Sequence, residues 1–292
     1  MFIATLLTNP ATPCLDAATV DALRNAWGGG DVQWLSPDIA AEFAIAEIPS
    51  NRWEVWKNLQ TLGIDLVVQP EEGRRKAILL ADMDSTMIQQ ECIDELAAEA
   101  GVGDHVAAIT ARAMNGELDF EGALRERVGL LKGLDYGVIE TVLANRITLM
   151  PGGPELLGTM KANGAYTALV SGGFVDFTAH IAAKLGFDEN RANRLLAKDG
   201  KLTGEVAQPI LGRDAKVEAL QEITATLGIM PQDVMAVGDG ANDLGMLGLA
   251  GSGVALHAKP MVAAECDIRI NHGDLTALLY IQGYSRDAFV AG

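Results

Sequence analysis

The sequence predicts an α/β protein: a doubly wound parallel sheet that carries a small helical insertion and is preceded by a separate α+β unit. Three observations predict it. Short continuous apolar runs recur after residue 76 with helical segments between them, residues 92–150 show helical periodicity without a strand pattern, and the first seventy residues alternate strand and helix in a different order. A chain of 292 residues, 49% of them hydrophobic, can bury two compact cores.

The first unit reads as strand 2–7, helix 16–26, strand 32–36, strand 40–46, helix 51–62 and strand 64–68. That βαββαβ order is a ferredoxin-like sandwich. Gly28-Gly29-Gly30 closes its first helix and Gln69-Pro70-Glu71-Glu72-Gly73 makes a polar exit, which divides the chain into 1–72 and 73–292. Ala77-Ile78-Leu79-Leu80-Ala81 is apolar throughout, as expected of a strand buried on both faces of a parallel sheet. Residues 166–170, 234–237 and 252–256 repeat that pattern, and the alternation with helices predicts the doubly wound sheet. Within the insertion, Leu118, Phe120, Ala123, Leu124, Val128 and Leu131 keep helical spacing. Asp199-Gly200, between two strand-like runs in 192–211, reads as a β-hairpin.

Charge narrows the partners. Against 22 basic residues stand 39 acidic ones, for a net charge of −17, and the longest basic run is Arg74-Arg75-Lys76, so nucleic acid is not expected to bind. Any phosphate site must therefore supply its own local cations. The start has no basic segment and reaches Asn9-Pro10 early, so no signal peptide is expected, and no stretch approaches the roughly 20 apolar residues that span a bilayer. Cys14, Cys92 and Cys266 are isolated from one another, which suits a reducing cytoplasm without zinc fingers.

Four features carry chemistry, and three lie just after a predicted buried strand, where open α/β sheets place their ligands. The first is Asp82-Met83-Asp84-Ser85-Thr86. Two carboxylates so close repel each other unless a cation, a shared proton or a division of roles intervenes, and phosphoryl transfer uses all three. An isolated Asp-x-Asp also serves as an ordinary cap. The second is Ser171-Gly172-Gly173-Phe174, a turn after a strand that offers a hydroxyl and free N–H groups to an anion. The third, Lys216, heads a helix, where a lone lysine is usually a solvated charge. The fourth, Gly238-Asp239-Gly240-Ala241-Asn242-Asp243, bunches side-chain oxygens on a tight turn and suits Mg²⁺; the EF-hand spacing is missing.

In this order the four features resemble the signatures of the haloacid dehalogenase (HAD) superfamily of phosphotransferases. Within it, the Asp82–Thr86 motif, Glu91, Ser171–Phe174 and Gly238–Asp243 look like the phosphoserine phosphatase family over residues 76–290. The resemblance implies Mg²⁺-dependent hydrolysis of O-phosphoserine through an aspartyl phosphate, the last step of serine biosynthesis. Asp82 would be the nucleophile and Asp84 the general acid and base. The metal would be held by the Asp82 carboxylate, the Asp84 carbonyl and Asp239, with Asp243 orienting its waters. Ser171, Gly172, Lys216 and Asn242 would bind the phosphoryl oxygens.

Glu91 would pair with the substrate ammonium, and Arg127, in a helical cap at about 92–150, with its carboxylate; Arg125, two positions away, is the competing candidate. Met114 and Phe120 match apolar positions that close over the substrate, although such residues are more often simple core. The first unit resembles, by element order alone, the ACT-type modules that bind amino acids; dimerisation or a structural role is as open as sensing. Two rivals remain at this point, a HAD-type phosphatase for another small phosphomonoester and a regulatory amino acid-binding protein with an inert phosphatase unit.

Overall fold

A computed structural model describes residues 1–114 and 117–291, the side chain of Met114 excepted. The first unit contains β1 (Phe2–Thr8), α1 (Ala17–Ala26), β2 (Gln33–Ser36), β3 (Ala40–Ile45), α2 (Arg52–Gln60) and β4 (Ile64–Pro70). Its strands form an antiparallel sheet in the order β2-β3-β1-β4, the arrangement expected of a ferredoxin-like unit. Asp16 starts α1 by accepting the Thr19 N–H at 2.7 Å. Strand periodicity gives the sheet two buried faces: Leu6, Phe43, Leu66 and Val68 pack under the helices, while Leu7, Ala40 and Val67 face the rest of the chain.

The second unit continues with β5 (Ile78–Ala81), α3 (Cys92–Glu99), α4 (Gly103–Met114), α5 (Phe120–Gly129), α6 (Val138–Asn145) and α7 (Gly153–Ala162). Then come β6 (Tyr166–Phe174), α8 (Val175–Leu185), β7 (Glu189–Asn193), the hairpin of β8 (Leu195–Lys198) and β9 (Lys201–Val206), and α9 (Arg213–Leu227). The chain closes with β10 (Val234–Gly238), α10 (Leu244–Leu249), β11 (Ser252–Leu256), α11 (Pro260–Ala264), β12 (Ile268–Ile270) and α12 (Ala277–Tyr280). Six parallel strands lie in the order β12-β11-β10-β5-β6-β7, so β5 is central and all four of its residues are buried. Leu79 and Ala81 enter one core, and Ile78 and Leu80 enter the other beneath Ala219, Leu220 and Ile223 of α9.

Three details depart from expectation. The sheet has two strands more than the apolar runs indicate: β7, whose sequence ENRAN is polar because it is a half-exposed edge, and β12, only three residues long. In addition, β6 does not turn at Ser171 but runs on to Phe174, with a register shift against β7 between Val170 and Phe174. Among the described residues no helix is long and apolar enough to cross a membrane.

The two units share a core in which Leu7, Leu35 and Val67 meet Leu278, Tyr280 and Ile281. Alternate residues of β4 on that face are anchored: Gln69 Nε2 donates to the Ile281 carbonyl at 2.5 Å, and Asp65 reaches the loop after β12. Arg74 holds buried Glu42 of β3 through two parallel hydrogen bonds of 2.6 and 2.9 Å.

Candidate active site

Asp82 follows β5 directly and is 5% exposed. Beside it ends β10, whose turn carries Asp239 and Asp243, because parallel strands paired in register finish at one level. Glycine makes that turn: a Cβ on Gly238 would lie 2.4 Å from the Asp243 carboxyl, and one on Gly240 would lie 2.3 Å from Asn242 Oδ1. Carboxylate oxygens of Asp82, Asp239 and Asp243 all fall within 4.8 Å of one another.

The lysine that sequence statistics would place in solvent is instead 1% exposed. Lys216 Nζ lies 2.7 Å from Asp82 Oδ1 and 2.5 Å from Asp243 Oδ1, and Asp243 Oδ2 accepts the Gly240 N–H at 3.0 Å. Burial alone would lower the Lys216 pKa, but the two carboxylates outweigh it and hold the ammonium above its ordinary value. A single cation does not balance three acids. Burial, with Asp243 adding repulsion, raises Asp82 well above the carboxylate range, and burial followed by Asp243 and Glu91 pushes Asp239 up to about 6. That excess negative charge on hard oxygens fits a divalent cation, with Asp82 and Asp239 as its carboxylate donors and Asp243, tied to Lys216 and Gly240, behind them.

Asp84 faces another way. Its Oδ1 accepts the Cys92 N–H at 2.8 Å and its Oδ2 the Ser171 hydroxyl at 3.2 Å, while Ser171 Oγ accepts the Gly173 N–H at 2.8 Å. Burial, then the neighbouring Glu91, pushes the Asp84 pKa up to about 6, the range in which a carboxyl both gives and takes a proton near neutrality. A Cβ on Gly173 would stand 2.7 Å from Asp84 Oδ2, so the second glycine makes room for the acid. Ser85, in the left-handed region at φ 55°, turns its hydroxyl to donate to Glu91 Oε1 at 2.7 Å.

One cavity of about 450 Å³ gathers Asp82, Asp84, Glu91, Arg127, Ser171, Gly172, Asp239, Asn242 and Phe120; Lys216 and Asp243 lie beneath it. Arg127 is half-buried and, among the described residues, has no ion-pair partner; its Nε donates to the Ala123 carbonyl at 3.2 Å. Arg125 is 53% exposed and pairs with Glu121, because two residues on a helix turn it away from the cavity. Phe120 lies over the glycine end of β6, 3.1 Å from where a Gly172 Cβ would sit. Met114 has its side chain outside the described residues.

Arg213 and Lys259 also line the cavity, Thr86 donates to Asp239 Oδ1 at 3.4 Å, and Asn193 bonds the Gly172 and Leu211 carbonyls at 2.9 and 3.0 Å. Arg213, Lys259 and Asn193 do not stand out in the sequence, and Thr86 closes the Asp82–Thr86 motif without a role of its own assigned there. A signal existed for Lys259, three residues beyond the apolar run of β11 at the same sheet end.

An acidic pair at a sheet switch point, a buried lysine and the Ser171-Gly172-Gly173 end of β6 define an aspartate-based phosphotransfer site on a doubly wound sheet. The haloacid dehalogenase-like hydrolase family model matches residues 79–248. The chain belongs to that family. It is 38% identical to a phosphoserine phosphatase of Streptomyces coelicolor over 294 residues, covering 98% of this chain and 71% of the relative. A HAD-family hydrolase structure from Salmonella enterica serovar Typhi superposes with a TM-score of 0.86 at 31% identity, covering 98% of this chain and 99% of that one. A phosphoserine phosphatase solved as a phospho-aspartyl intermediate analogue is 45% identical, with a TM-score of 0.66 over 70% of this chain and 98% of that one.

Proposed function

We propose that the chain is a phosphoserine phosphatase, releasing serine and phosphate from O-phosphoserine as the last step of serine biosynthesis. The observation that carries this is the juxtaposition, in one small cavity, of the Asp82–Asp84 pair with Glu91 and with the guanidinium of Arg127, which has no ion-pair partner among the described residues. The first pair meets the needs of the phosphoryl group, and the second meets those of an amino acid's ammonium and carboxylate.

Asp82 attacks phosphorus while Asp84 gives its proton to the departing serine oxygen. Asp84 then takes a proton from water as it attacks the aspartyl phosphate, which restores Asp82 and frees phosphate. Ser171, the Gly172 N–H, Asn242 and Lys216 hold the phosphoryl oxygens, so positioning and charge neutralisation supply most of the acceleration. We assign Mg²⁺ to Asp82, the Asp84 carbonyl and Asp239; when bound it screens the anionic carboxylate from the anionic phosphate. Phe120 excludes water above the Gly172-Gly173 end of β6. A homodimer in a reducing cytoplasm completes the reading, with light scattering as its check.

Phosphate release from L-phosphoserine, with and without Mg²⁺, tests the core of it. Asp82→Asn should abolish turnover. Arg127→Ala should raise KM at least tenfold for phosphoserine, a loss in line with deleting one charged hydrogen-bonded pair. Equal activity on phosphoserine, phosphothreonine and sugar phosphates would instead mark a phosphatase for other small phosphomonoesters.

A further inference from the structure

The face of β4 that meets the second unit carries a carboxyl group with no exposure at all, Asp65. Its Oδ2 accepts the His272 and Gly273 N–H groups at 2.9 and 2.8 Å, and its Oδ1 accepts the Asn271 N–H at 3.0 Å and Gln60 Nε2 at 3.1 Å. Burying a carboxyl group is costly, and four donors converge to make it tolerable. The clasped loop continues to Leu275, whose N–H donates to the Pro151 carbonyl at 3.1 Å. Gly152, at φ +82°, fits tightly against the same loop, since a Cβ there would lie 2.6 Å from the Thr276 nitrogen.

Pro151 and Gly152 are where the chain returns from the helical cap. The outgoing and returning segments form a short antiparallel hinge: Ile88 bridges Leu149, the Met150 N–H donates to the Met87 carbonyl at 2.9 Å, and the Gln89 N–H donates to the Thr148 carbonyl at 3.0 Å. A cleft of about 980 Å³ touches the first unit at Asn9 and Cys14, the hinge at Gln89 and Pro151, and the catalytic turn at Asp239. Asp65 thus clasps the loop at 271–273 by hydrogen bonds, and two residues further along the same loop Leu275 hydrogen-bonds Pro151 at the base of the cap.

We propose that Asp65 is a positioning residue by which the N-terminal unit sets the attitude of the cap, and with it the placement of Arg127 and Phe120 over the substrate. The proposal rests on the phosphatase reading, in which the cap closes on phosphoserine. The N-terminal sheet then acts on the reaction at a distance, as a fixed abutment for the hinge.

The test compares full-length wild type with Asp65→Asn, which keeps the shape but turns an amide toward backbone donors. Arg52→Gln is the control, since it removes the unrelated Arg52–Asp267 contact between the units. Asp65→Asn should lower kcat/KM for phosphoserine roughly tenfold, the scale of a remote positioning effect, and should speed amide exchange at Met150 and Leu275 while leaving Val237 protected. Arg52→Gln should change neither. Unchanged kinetics and hinge exchange in folded Asp65→Asn would overturn the proposal, as would a uniform rise in exchange across both units. Should that variant not fold, Gln60→Ala, which removes one of the four donors, carries the same comparison. Wild type inactive on phosphoserine would sink the substrate assignment alone, leaving the exchange result to decide the coupling.

Discussion

Lys216 is the residue whose role depends most on burial. Lys216→Met would leave Asp82 and Asp243 facing each other without their cation, so activity should vanish and the metal-free protein should lose about 3 kcal/mol, read by urea unfolding at neutral pH. Asp239 gives a pH signature. Its pKa rises from 3.8 to about 6 on folding, so between those values the folded state holds more proton than the unfolded one. Its stabilising contribution is full below about pH 4 and is lost as pH rises through about 6, an effect of roughly 1–3 kcal/mol. The stability of metal-free wild type relative to Asp239→Asn should therefore fall across that window, and saturating Mg²⁺ should reverse the loss. A difference independent of pH would remove this account. The sequence displays these acids as a motif but not their surroundings: Lys216 lies 134 positions from Asp82, and only packing shows that it is buried beside it.

Among the elements, β6 matters most to the chemistry. The irregular pairing after Val170 lets the extended strand carry Ser171 to the acid and the Gly172-Gly173 backbone to the cavity, with two glycines that cannot gain a side chain freely. Gly173→Ala should displace Asp84 and reduce kcat at least a hundredfold while the melting temperature hardly moves, a cost in keeping with ångström-scale misplacement. Circular dichroism beside steady-state kinetics checks it; full activity would show that Asp84 is not held from that side. The sequence reveals strands that are apolar on both faces, such as β5 and β10, because burial dictates composition there. It conceals β7, whose edge position lets it be polar, and β12, too short to show a period. Likewise a Ser-Gly-Gly reads as a turn, since nothing local indicates that the backbone continues extended through it.

At the scale of the whole molecule, the element order of the first seventy residues suffices to indicate a ferredoxin-like sheet, but not what its second face touches. That depends on Glu42, Asp65 and Gln69, which as sequence are ordinary polar strand residues and in the fold are buried against the second unit. Arg74→Leu should cost about 3 kcal/mol by leaving Glu42 buried without its partner, visible as a lower urea midpoint for the entire protein. Two separate transitions, with only one affected, would mean that the units unfold independently. The shared core has a further bearing on how the chain is made. Leu7, Leu35 and Val67 are covered by residues near 280, more than two hundred positions downstream, so on the ribosome this apolar face waits on the order of 10 s for its cover. The finished enzyme hides a surface that its nascent form must keep from sticking, and a holdase able to mask that face during synthesis would determine how much active protein a cell obtains.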